Sequence, residues 1–78
     1  MTNSQITKLQ ATINMILNNI DNNVNKEYNA TVLIFIGVLT DNKDLVERGI
    51  DNGGDLNQGM TSDIKIILVE CGILDNVL

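Results

Sequence analysis

The sequence predicts an all-α protein, a compact bundle of about four short helices. Three observations carry this: apolar residues recur at helical spacing near the N-terminus, capping residues punctuate the chain, and no proline interrupts it. Each segment adds its own argument.

Ile6, Leu9, Ile13, Ile16 and Ile20 follow one another at spacings of three, four, three and four, and Leu17 and Val24 widen the stripe. This is a heptad seam, with Thr2, Asn3 or Ser4 placed to cap a helix from about residue 4 to 22. The stripe has two readings. It faces the chain's own core, or it forms a coiled-coil-like seam for a second copy or a partner. Two heptads do not decide between them, because sustained coiled coils show three or four. On the second reading Ile6, Leu9, Ile13, Ile16 and Ile20 are the interface residues.

A polar break follows, from Asp21-Asn22-Asn23 through Asn25, Lys26 and Glu27, rich in residues that favour turns and caps. Ala30 to Thr40 is then apolar on every side. Periodicity does not separate a buried helix from a buried strand here, and its β-branched residues favour a strand locally. The expected element is a helix at the centre of the bundle. The alternative is an α+β fold in which Val32–Val38 and Ile64–Val69 pair as two short strands.

Thr40-Asp41-Asn42 supplies caps for a third helix over 43–52, with Leu45, Val46 and Ile50 as its apolar face and Asp44 four residues ahead of Arg48. Gly49 inside it costs ~1 kcal/mol relative to Ala, which suggests close approach of a neighbouring helix. Gly53-Gly54 stops the helix through a left-handed cap. Thr61 or Ser62 caps a fourth helix that runs to about Cys71, with Gly72 as its stop. Ile64, Ile67, Leu68 and Cys71 share one of its faces while Ile66 and Val69 lie elsewhere, so burial on more than one side is expected.

At 78 residues the chain is read as a single helical domain, 1–78, that buries only about 60–65% of its unfolded surface. One cysteine and no histidine leave no intramolecular disulfide and no His-based metal site as a staple. Tyr28 and Phe35 are the two aromatic residues, so the core is expected to be aliphatic. Self-association is a natural further source of stability, making a homo-oligomer, in the simplest case a homodimer, an expected partner arrangement.

The absence of histidine excludes Ser-His, Cys-His and His-metal catalysis. Glu47 and Asp51 stand four apart on one helical face, where solvation explains them. Cys71 ends an apolar helix and reads as a core filler. Gly53-Gly54 is followed by no phosphate-loop pattern. The loop from Asp51 to Ser62 has Leu56 at the turn-glycine position and Ser62 at the closing position of a calcium loop, so it does not fit one. A small-molecule binder would need a pocket lined by Lys26, Glu27 and Tyr28. No enzyme, cofactor, metal or catalytic residue is therefore expected.

The net charge of −5 disfavours nucleic acid, whose binding relies on Lys and Arg neutralising phosphates, and equally disfavours anionic membrane surfaces. The acids are scattered along the chain and do not suggest mimicry of nucleic acid. Val32–Val38, the longest apolar run, is too short to span a bilayer. The N-terminal Met1-Thr2-Asn3-Ser4-Gln5 shows no signal-peptide pattern. A cytoplasmic setting is expected. The weight of asparagine and isoleucine suggests an AT-rich coding source, such as a phage or low-GC bacterium.

Leu39-Thr40-Asp41-Asn42-Lys43-Asp44-Leu45-Val46-Glu47, leading to Ile50-Asp51-Asn52-Gly53-Gly54-Asp55-Leu56-Asn57, resembles an ankyrin repeat. Residues 32–57 fit its phase without a gap. Gly53, Asp55 and Asn57 fall on the repeat-ending glycine, aspartate and asparagine, and Leu45-Val46 on the outer helix's paired apolar positions. Thr-Pro-Leu-His is replaced by Val32-Leu33-Ile34-Phe35. The resemblance covers about a third of the chain. It implies that Val32–Leu39 is an inner helix hairpinned to an outer one, and that the function is protein binding without catalysis.

The functional expectation is a non-enzymatic protein–protein interaction module that regulates or inhibits a partner, of the kind carried as an accessory by phages or mobile elements. The alternative is a structural or assembly subunit acting as a homo-oligomer.

Overall fold

Three of the four α-helices among the described residues begin at a side chain suited to cap them. In the computed structural model, which describes residues 2–74, Thr2 opens α1 (Asn3–Asp21) with a reciprocal capping box: Gln5 N–H donates to Thr2 Oγ1 at 3.1 Å, and Thr2 N–H donates to Gln5 Oε1 at 2.9 Å. Asn42 Oδ1 accepts from Leu45 N–H at 3.3 Å to open α3 (Lys43–Asp51), and Thr61 Oγ1 accepts from Ile64 N–H at 3.3 Å to open α4 (Ser62–Glu70). Between α3 and α4 the chain makes one 3₁₀ turn at Leu56–Gln58.

The central helix α2 (Lys26–Leu39) starts earlier than the sequence suggests. Lys26 and Glu27, read as part of the polar break, lie in its first turn. The break is compressed because Asn23 and Asn25 both take the left-handed conformation, at φ 58° and 43°, which asparagine tolerates better than most residues. Asn29, buried inside α2, then clasps the turn by donating to Val24 O at 3.0 Å and Asn25 O at 3.1 Å.

Among the described residues there is no strand, and Val32–Val38 is helical, so the all-α reading holds and the α+β alternative does not. The helix resolves the local β preference because α2 is covered by neighbours around most of its circumference. Inside such a cover a helix satisfies its backbone within itself. Leu33, Ile36 and Val32 form the centre of the core with Ile16 and Ile20 of α1, Leu45 of α3, and Ile64 and Leu68 of α4.

α3 folds back along α2 as a tight helical hairpin. Gly49 lies against Ala30 and Ile34, and Gly37 lies against Val46 and Asn42 O. α4 lies across α1 and α2. Its start stands beside Tyr28, which feels the charge of Asp63, and its end stands beside α1, where Cys71 Sγ is 3.4 Å from Thr12 Oγ1 and Gly72 meets Gln5. Ile66 remains exposed on its outer side, so α4 is not buried on two sides as its apolar character suggests. The radius of gyration, 11.7 Å, matches the roughly 11.5 Å of a close-packed chain of this length. Among the described residues no helix is long and apolar enough to cross a membrane.

Candidate interaction surface

The α1 stripe is divided by the fold. Ile16 and Ile20 are 2% and 5% exposed and belong to the core, Leu9 and Ile13 are half-buried against it, and Ile6 is 40% exposed. Two of the five seam residues are thus enclosed by the chain itself, and of the five Ile6 is the most exposed; Val24, which widens the stripe beyond α1, is exposed too.

The division follows from the lengths of the two helices. Asn19 Nδ2 lies 3.5 Å from Asn29 Oδ1, which pairs the end of α1 with the beginning of α2. The helices run in opposite senses and rise about 1.5 Å per residue. Ten residues up α2 from Asn29 is Leu39, its last helical residue, and ten residues down α1 from Asn19 is Leu9. The first turns of α1, including Ile6, therefore project past the end of α2.

Val38 and Leu39 close α2 at this same end, and both are exposed. Ile6 near the start of α1 and Val38 and Leu39 at the close of α2 are exposed, and Leu9 and Ile13 are half-buried between Ile6 and the core. Val38 and Leu39 were not among the expected interface residues, because the run they end reads as central and buried. The signal that finds them is positional: Thr40-Asp41-Asn42 ends the helix immediately after them.

Buried polar groups elsewhere are structural. Thr31, with no exposed surface, donates to Glu27 O at 2.8 Å and accepts from Asp55 N–H at 2.9 Å, tying the α3–α4 connection to α2. Asp55 Oδ1 in turn accepts from Asn57 N–H at 2.9 Å, and Gln58 donates to Glu27 Oε1 at 2.6 Å. Of the carboxylates in the calcium-like loop, that of Asp55 is thereby engaged in turn geometry. Among the described residues no three His, Cys, Asp or Glu side chains are grouped to hold a metal ion. Glu47 and Asp51 are both exposed on α3. Cys71 is buried, at 1% exposure. Burial raises the Tyr28 pKa above its ordinary value of 10.0, and the Asp63 charge adds to the shift.

No family model, curated protein or solved structure matches this chain.

Proposed function

We propose that this chain is a non-enzymatic interaction module that regulates or inhibits a partner protein, which it grips at the Ile6–Val38–Leu39 end of the bundle. The observation carrying the proposal is that the α1 stripe passes from buried Ile16 through half-buried Ile13 and Leu9 to exposed Ile6, and that Val38 and Leu39 at the close of α2 are exposed as well. The occupant is a protein segment with an aliphatic helical face that extends the stripe. Its surroundings are net basic, to complement a charge of −5. The ankyrin likeness of residues 32–57 supports the same class, since that family binds proteins. The asparagine-rich composition supports an accessory protein of a phage or mobile element, working in the cytoplasm.

The test is capture from a host lysate by the immobilised full chain, with Ile6→Asp and Leu39→Asp as paired controls. A protein retained by the wild type and lost by both variants, while their thermal transitions stay within a few degrees of wild type, supports the assignment. Equal retention by the folded variants overturns it.

A second reading, self-association, has its own observation. On the outer side of α4, Ile66 is 55% exposed and Val69 half-buried three residues on, and the exposed Lys65 and Glu70 flank them on opposite sides. In a parallel pairing of two copies, Lys65 of each would stand opposite Glu70 of the other, the arrangement of flanking charges in a two-stranded coiled coil. A nine-residue helix offers a small contact, so the dimer is of the weak class. Sedimentation across a concentration series should show it. Ile66→Asp and Lys65→Glu should each abolish it, and adding Glu70→Lys to Lys65→Glu should restore it. A wild type that stays monomeric removes self-association altogether, whereas a dimer indifferent to these changes removes only the α4 surface.

A further inference from the structure

The Asn52–Gly53 step is the one place where asparagine precedes glycine in this chain. Glycine without a side chain leaves its amide nitrogen the least hindered of backbone nucleophiles and its backbone the most mobile. In such a step the Gly53 nitrogen attacks Asn52 Cγ. The N–Cγ bond forms, the Cγ–Nδ2 bond breaks, and ammonia departs, carrying the proton lost from the Gly53 amide. Water then opens the cyclic imide at either carbonyl, giving aspartate or isoaspartate. Overall one water is consumed and one ammonia released, with no oxidant or catalyst needed.

The fold engages both reacting groups elsewhere. Asn52 ends α3, and its Nδ2 donates to Arg48 O at 2.8 Å, while its own N–H donates to the same carbonyl at 3.1 Å. Gly53 N–H donates to Ile50 O at 3.1 Å, so its proton is held and its nitrogen points back into the helix. Gly54 N–H donates to Gly49 O at 2.8 Å, and Gly54 packs so closely on Ala30 that an added Cβ would lie 2.9 Å from the Ala30 carbonyl. The peptide on each side of the reacting bond is pinned, and the swing that would bring Gly53 N onto Cγ is blocked.

We infer that Asn52–Gly53 is a covalent record of unfolding: a deamidation site closed in the native fold and opened when the end of α3 comes loose. The product also disfavours return. It adds a negative charge at the C-terminal end of α3, beside Asp51 and Asp55, where the helix dipole disfavours anions. The isoaspartate form additionally lengthens the backbone by one carbon and would lift Gly54 from Ala30. This inference is independent of the proposed partner.

The test uses the purified full chain at mildly alkaline pH, incubated in native buffer and in urea, with peptide mapping by mass spectrometry. The expected result is conversion at Asn52 ahead of every other asparagine, and about tenfold or more slower in the folded chain. Asn42→Ala, which removes the cap of α3 without touching Asn52, should accelerate conversion in native buffer and leave the urea rate unchanged. Equal rates in the two solvents overturn the inference. So does an Asn42→Ala variant that melts earlier yet converts no faster in native buffer.

Discussion

Gly49 on α3 faces Ala30 on α2 at such close range that a Cβ on the glycine would stand 2.7 Å from the Ala30 carbonyl oxygen, with Ile34 pressed against the same point. The hairpin of α2 and α3 is closed at this contact, and the neighbour on the far side is backbone, which cannot step aside.

Gly49→Ala should therefore destabilise the protein although alanine is the better helix former by ~1 kcal/mol. Overpacking a tight site costs about 1–3 kcal/mol, and the offending partner here is a carbonyl. Urea denaturation should show a net loss. A gain in stability would mean that the two helices separate without penalty.

Thr31→Val keeps nearly the same shape but removes the hydroxyl that accepts from Asp55 N–H and donates to Glu27 O. An orphaned buried N–H costs about 1–3 kcal/mol. The same variant should raise hydrogen exchange at Asp55 more than at Leu33, because the connection between α3 and α4 loses its tether to α2.

Substitutions along the α1 stripe should divide sharply. Ile16→Ala, in the core, should cost about 2–5 kcal/mol, whereas Ile6→Ala, at the exposed end, should stay within about 1 kcal/mol. Matching thermal shifts at the two sites would contradict the overhang of α1 past α2.

Tyr28 sets an alkaline limit. Burial foremost, and Asp63 beside it, raise its pKa in the folded state. A raised folded value means the neutral phenol is favoured in the fold, so this contribution is complete below the unfolded value of about 10 and declines as pH rises above it. Stability measured between pH 9 and 11 should fall more steeply for the wild type than for Tyr28→Phe, on the order of the one group involved.

Much of the fold was legible because its signals are local. The caps at Thr2, Asn42 and Thr61 each bind a backbone N–H three residues ahead, and the left-handed Gly53 ends α3 as the glycine pair suggests. Gly49 announced a close approach by being out of place inside a helix. The start of α2 was less legible, since Lys26 and Glu27 look like loop until Asn29 reaches back to fold the turn beneath them. Asn29 and Thr31 gave one faint sign of their roles, as polar residues within an otherwise apolar helix. Their partners were hidden, and Asp55 lies 24 residues from Thr31.

By itself the sequence determined where α1, α3 and α4 begin and end and which residues are apolar enough to be enclosed, because caps, glycine turns and helical spacing act over three or four residues. Only the tertiary structure decided which part of the α1 stripe is core. Ile6 and Ile20 are equivalent in the seam, two heptads apart, yet one is exposed and the other buried, and what separates them is where α2 stops. That depends on the Asn19–Asn29 pairing and the relative lengths of two helices, and neither can be read from one helix alone.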